Sequence, residues 1–258
     1  MPNLYDTQNL NENSLVCGSY SDMGIRKENQ DSFLIIKDIT NPTFIVADGA
    51  GGYSFGKEAS KLAVDAFKVE VSKVDTSDVN YLNKLIKKKY EQVNEYIYKK
   101  SMDLGKKIMT TFSMVNIIDN KLLISNLGDT AIYKISEGKI TKIYVQHSLA
   151  FEQYESGHIT FKEYINHPKK NVITRALGGN KEVFPYINTL QIYNNDIFII
   201  CTDGVYNFIQ EQELLMYFKD KIHDNEGLES ICKEIGLEVL KRHGNDNLTI
   251  VAFQKFIL

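Results

Sequence analysis

The 258-residue chain carries 30 Lys and Arg against 33 Asp and Glu, a net charge of −3, so no global basic field draws it to nucleic acid or to an anionic membrane. Its 43% apolar and 24% charged residues are ordinary for a globular protein and enough for one large domain. No apolar stretch reaches transmembrane length, residues 1–13 lack the basic start and apolar core of a signal peptide, and Cys17, Cys201 and Cys232 fit no metal-binding spacing, a combination expected of a cytoplasmic protein.

Residues 1–13 read as a polar N-terminal extension and 14–258 as a single domain. Short strands are predicted over 15–20, 33–37 and 43–47. In the last of these, Phe44-Ile45-Val46-Ala47 is an apolar, partly β-branched run that reads as buried and ends at Asp48-Gly49. Helices are predicted over 55–74 and 78–100. The second has Asp78 as its cap and Lys84, Lys87, Lys88 and Lys89 on its solvated face. A strand series follows over 110–118, 121–126, 130–135 and 139–143, with tight turns at Asp119-Asn120 and Glu137-Gly138. Residues 146–181 break this rhythm, setting short helical pieces at 149–155 and 160–164 among Gly, His and Pro, and read as a functional flap. Strands return over 183–192 and 196–201, then helices over 210–218 and 226–241, then a last strand over 248–253. Long helices flanked by consecutive antiparallel strands favour α+β layering over a doubly wound parallel sheet.

Four acids stand at the mouths of apolar strands: Asp31, Asp48, Asp203 and Asp246. A single Asp-Gly at a strand end is equally an ordinary turn, which suits that pair well. Four of them gathered at one end of a sheet sandwich form the pattern that a two-metal carboxylate site needs. Asp129 follows Gly128 between two strands, a position that suits a turn residue. His147 and His167 read as flap structure.

In chain order the sequence carries RKENQD at 26–31, VADGAGG at 46–52, MTTFS at 109–113, NLGDTAIY at 126–133, QHSLAFEQYESGHIT at 146–160, HPKKNVITRALGG at 167–179, CTDGV at 201–205 and NDNLTIV at 245–251. Over nearly its whole length it resembles a bacterial metal-dependent Ser/Thr protein phosphatase of the type 2C family. The resemblance implies a four-layer α-β-β-α sandwich of two antiparallel sheets flanked by helices, with two Mn2+ or Mg2+ ions in a cleft at one end. It implies that Asp48 bridges both ions and that Gly49 lends its carbonyl. Asp203 and Asp246 would bind one ion directly, Asp31 would act through a metal-held water, and Asp129 would help hold a third ion near the flap. Arg26 matches the phosphate-binding arginine, whose planar fork holds two phosphoryl oxygens better than a lysine does.

The implied reaction is hydrolysis of phosphoserine and phosphothreonine on proteins by direct attack of a metal-bridging hydroxide, with catalytic roles for Arg26, Asp31 and Asp48. Implied partners are phosphorylated proteins, among them a Ser/Thr kinase and its substrates; nucleic acid and membrane are not expected, and the chain is expected to be a monomer. Two other readings share the fold: a phosphatase dedicated to one regulatory partner, and a catalytically inactive module that binds phosphoproteins. The chain also departs from the family pattern. Gln30 stands where many members carry Glu, and Ala50 where some eukaryotic members place a histidine proposed as general acid. Thr130-Ala131 stands where an arginine often follows, and Gln146 where an aspartate usually precedes His-Ser.

Overall fold

The computed structural model describes residues 15–37, 39–51, 55–219 and 224–256. The N-terminal extension expected at 1–13, and Gly52 of the glycine-rich motif, lie outside the described residues. The elements run β1 (Leu15–Asp22), β2 (Asp31–Ile36), β3 (Thr43–Ala50), α1 (Phe55–Val71), α2 (Val79–Leu104), β4 (Met109–Thr110), β5 (Phe112–Ile118), β6 (Lys121–Leu127), β7 (Ala131–Ser136) and β8 (Lys139–Lys142). They continue α3 (Leu149–Glu155), α4 (Phe161–Ile165), β9 (Tyr186–Gln191), β10 (Ile197–Cys201), α5 (Asp203–Tyr206), α6 (Glu211–Phe218), α7 (Asn225–Lys241) and β11 (Leu248–Lys255).

Two antiparallel sheets result, ordered β1-β11-β10-β7-β8 and β2-β3-β5-β6-β9, with the short β4 pairing β3 off the second path. Helices cover both outer faces, so the central strands are buried on two sides and read as unbroken apolar runs instead of alternating ones. The alternation is still there, shared between two apolar layers. Phe44 and Val46 of β3 meet Phe198 and Ile200 of β10 and Val251 and Phe253 of β11 between the sheets. Ile45 and Ala47 face the opposite way, onto α1 and α2. Ile197, Ile199, Ile250 and Ala252 turn from the other sheet towards α6 and α7. Phe44 and Phe253 stack across the middle with ring centroids 3.8 Å apart. The four-layer sandwich expected from the sequence is the fold of the chain.

Local chemistry fixes the boundaries. Asp78 caps α2, accepting the Asn80 and Tyr81 N–H groups. Asp119 and Glu137 take positive φ at the two hairpin turns. Helix α1 stops at Val71, short of the expected 74, because the next residues tighten: Lys73 N–H bonds Glu70 O and Val74 N–H bonds Val71 O. Strand β9 begins at Tyr186 and not at 183, since Pro185 has no N–H for the ladder. Strand β3 does not end at Asp48. It runs on to Ala50 because β4 continues its ladder, pairing Gly49 with Thr110 and Ala50 with Met109.

Candidate active site

Sheet pairing brings the acids together. In the β2–β3 ladder Asp31 and Asp48 are direct register partners. The Asp48 backbone is saturated by the neighbouring strand. Its N–H donates to Thr111 Oγ1 at 2.9 Å, and its carbonyl accepts the Thr111 N–H at 2.8 Å and the Thr110 hydroxyl at 2.9 Å. Gly49 follows, where a Cβ would run into the carbonyl oxygen of Gly56 in α1, so the helix can approach the strand only at glycine.

The second sheet supplies the other two acids. Strand β10 ends at Cys201, and Asp203 opens the single turn of α5, an element too short to announce itself by periodicity. A Cβ on Gly204 would collide with Asn247 O, so α5 and the start of β11 meet only because that residue is glycine. Asp246 lies just before β11. Asn247 then ties the Arg26 loop to this end of the sandwich: its Oδ1 accepts the Gln30 N–H, and its Nδ2 donates to Met23 O and Glu28 O, each at 2.9 Å. The sequence reading missed that role, although Asn247 sits inside a motif it singled out. Arg26 donates from Nη2 to Asp246 Oδ2 at 2.8 Å and from Nε to Asn245 O at 2.9 Å.

Arg26, Asp48, Gly49, Asp203 and Asp246 line one cleft of about 620 Å³, together with Lys27, Glu28, Ala50 and the flap residue Ile173. Asp31 and Asp129 are not among the residues lining it; both are buried, Asp31 beside Asp48 in the ladder and Asp129 in the β6–β7 turn. All the same, these carboxyls feel one another. Burial lifts Asp48 well above the ordinary carboxylate range, and the charges of Asp31, Asp203, Asp129 and Asp246 add to the lift. Asp31 is pushed up to about 7 by burial, against hydrogen bonds from Thr249 and Thr202 that favour its anion. Asp129 is pushed up to about 7 by burial and by Asp203. Asp203 is pushed up to about 6 by burial and by Asp246.

A set of buried, mutually repelling carboxylates destabilises the protein alone and is relieved by bound positive charge. The residues fit divalent metal on two counts. The donors are all oxygen, which suits Mg2+ and Mn2+, and Asp31 Oδ1 is buried with no hydrogen-bond partner. Among the described residues no three His, Cys, Asp or Glu side chains form a ready-made cage. Single carboxylates spaced around an open cleft instead suit ions that keep much of their water.

The model of the protein phosphatase 2C family matches residues 25–241. The chain belongs to the protein phosphatase 2C family. It is 29% identical to the serine/threonine phosphatase stp of Listeria welshimeri over 247 residues, 91% of this chain and 93% of that protein. Among solved structures it resembles the S. agalactiae serine/threonine phosphatase with a TM-score of 0.87 at 24% identity, covering 95% of this chain and 100% of that one. It also resembles the catalytic domain of the phosphatase PstP in complex with two manganese ions, with a TM-score of 0.79 at 23% identity and coverage of 94% and 98%. At these identities the structural likeness establishes the fold.

The departures in this protein phosphatase have visible consequences. The Gln30 amide donates to Glu28 Oε1 at 3.2 Å, a contact within the Arg26 loop. Thr130 hydrogen-bonds Thr111 at 2.6 Å, behind the strand that grips Asp48. Gln146 accepts the Tyr164 hydroxyl at 2.8 Å and so joins the start of the flap to α4. His147 is buried and anchors the flap: its N–H donates to Gly128 O at 2.9 Å, and its Nδ1 accepts the Gly128 N–H at 3.1 Å. Burial and nearby Arg175 push this imidazole down to about 4, as suits a neutral acceptor.

Proposed function

We propose that this phosphatase hydrolyses phosphoserine and phosphothreonine on proteins with a pair of Mn2+ or Mg2+ ions held at the cleft, phosphorylated proteins being its partners. The observation that carries this reading is the convergence, from two different sheets, of Asp48, Asp203 and Asp246 beside the Arg26 guanidinium. Asp48, Asp203 and Asp246, with the Gly49 carbonyl, would hold the ions, while Asp31 acts from behind them and Asp129 serves a third ion. When bound, such ions supply an activated water and neutralise phosphoryl charge.

The protein's own groups do the rest. Arg26 binds two phosphoryl oxygens through its planar fork and aligns the ester for in-line cleavage of the phosphorus–oxygen bond. Asp48, held by Thr110 and Thr111, fixes the centre of the site. Ala50 lines the cleft without a titratable group, so the proton for the leaving seryl or threonyl oxygen comes from water there. The names of the bacterial relatives support serine and threonine as substrates, and the manganese in the PstP structure supports the choice of metal. A Ser/Thr kinase as the opposing enzyme, a monomeric state and a cytoplasmic location belong to the same proposal. Among the described residues no helix is long and apolar enough to cross a membrane.

The test is phosphate release from a phosphothreonine peptide with Mn2+, with Mg2+ and with excess chelator. Release that needs metal and stops with chelator supports the reading. Folded protein that releases nothing with either ion is instead the phosphoprotein-binding module. In the same assay Arg26→Ala is expected to lower kcat/KM by about 10–100-fold, mostly through KM, because it removes a charge-assisted bidentate contact. An unchanged KM would show that Arg26 serves only its bond to Asp246.

A further inference from the structure

Asp31 opens β2, yet the hydroxyls that grip its side chain come from the opposite sheet. Its Oδ2 accepts the Thr202 hydroxyl at 3.0 Å and the Thr249 hydroxyl at 2.7 Å. Both threonines are fully buried, and neither lines the cleft. The partner oxygen, Oδ1, is buried and has no hydrogen-bond partner among the described residues.

The hydrogens in this network can run in only one direction. A hydroxyl has a single O–H to donate. Thr249 gives its own to Asp31, so in its 2.8 Å contact with Ser21 it accepts and Ser21 donates. Ser21 Oγ in turn accepts from Asn29 Nδ2 at 2.9 Å, and Asn29 Oδ1 accepts the N–H of Asp31 itself at 3.0 Å. Thr202 Oγ1 accepts the Thr249 N–H at 3.0 Å, which leaves its O–H for the carboxylate. Each hydroxyl is committed, and the carboxylate cannot rotate without breaking two buried bonds, each costly to leave unmade.

We propose that Thr202 and Thr249 are positioning residues for metal binding: by clamping Oδ2 from the far sheet, they reserve Asp31 Oδ1 for the ion pair. The inference rests on the metal-dependent reading above. An unpartnered oxygen alone marks no metal role, since Asp196 Oδ1 is buried without a partner too. What sets Asp31 apart is that the clamped carboxylate is the register partner of Asp48, at the centre of the proposed metal site. Outer-shell partners that orient a ligand carry a measurable share of metal affinity.

Thr249→Val deletes the hydroxyl at nearly constant volume, and Thr249→Ser keeps it. In the full chain, calorimetric titration with Mn2+ is read beside the melting temperature of the metal-free protein. Mn2+ affinity is expected to fall about 10–100-fold in Thr249→Val and to stay within about threefold of the parent in Thr249→Ser. Parent-like Mn2+ affinity in folded Thr249→Val overturns the proposal, whatever its melting temperature, because a merely structural hydroxyl moves only the latter. Should Thr249→Val not fold, Thr202→Val is judged by the same two readouts. A parent protein that takes up no Mn2+ overturns the metal-dependent reading itself, an outcome visible before any variant is compared.

Discussion

Asp48→Asn is expected to lower phosphate release at saturating Mn2+ by on the order of 10³-fold or more, while the metal-free variant folds and melts higher than the parent. Removing one neutral donor aimed at developing charge already costs about 10²–10³-fold in other enzymes, and Asp48 carries a full charge at the centre of the proposed site. The amide keeps the shape of the carboxylate, and the backbone bonds to Thr110 and Thr111 do not involve the side chain, so the strand is undisturbed. What disappears is a buried carboxyl whose ionisation is opposed by desolvation and by four neighbouring aspartates. Relief of about 1–2 kcal/mol corresponds to a rise of about 2–8 °C in melting temperature for a chain of this size. Phosphate release and thermal denaturation together decide the matter. Parent-like turnover would remove Asp48 from the centre of catalysis, and a lower metal-free melting temperature would mean that its charge helps the fold.

The second large effect is a pH profile. Metal-free protein is expected to lose stability steadily as the pH rises from about 4 to just above 7. Below 3.8, the ordinary aspartate value, folded and unfolded chains both hold these protons, and no difference arises. Above it the unfolded chain releases them, while the folded chain keeps them at Asp203 up to about 6 and at Asp31 and Asp129 up to about 7. His147, held down to about 4, acts in the opposite sense below about 6.5, but the carboxyls outnumber it. The folded state therefore binds more protons, and stability falls with rising pH until those carboxyls ionise in it as well. A carboxyl that holds its proton one pH unit longer in the folded chain than in the unfolded one costs about 1.4 kcal/mol at neutral pH, so the set together lowers the melting temperature by on the order of 10 °C or more. Saturating Mn2+ at pH 7.5 is expected to recover most of that loss by binding only the folded state. Denaturant titrations at pH 5 and pH 7.5, with and without Mn2+, measure both changes. Equal stability at the two pH values without metal would mean that these carboxyls are not buried together.

Much of the fold was legible because its physics is local. Phe44 to Ala47 and Ile197 to Cys201 read as buried strands through their β-branched apolar composition, and Asp78 marked a helix start by its capping chemistry. Two misjudged boundaries had local causes, the tightened turn after Val71 and Pro185 before β9, but the end of β3 depended on a partner far away in sequence. Strand β3 continues past Asp48 only because β4 is there to pair with it, and no property of Gly49-Ala50 reveals that. Motif order was enough to nominate Asp48, Asp203 and Asp246, which line one cleft, and Asp31 and Asp129, which lie buried off it. It did not reveal the wiring around them. Asn247 ties down the Arg26 loop through bonds that span more than 200 residues of chain, and Thr202 and Thr249 look like ordinary strand-end residues until the two sheets are stacked.

The cleft is a seam. Asp48 travels with one sheet, Asp203 and Asp246 with the other, and the apolar layer between the sheets, with the bonds that Thr202, Thr249 and Asn247 make from one sheet to the other, keeps the two halves in alignment. The stacked pair Phe44 and Phe253 therefore acts as a locating pin for the proposed site at the edge of the sandwich. A slip of one sheet by a fraction of a residue would leave every hydrogen bond within each sheet intact and still spread the acids apart. A substitution in that layer is thus felt at the proposed site as well as in the fold.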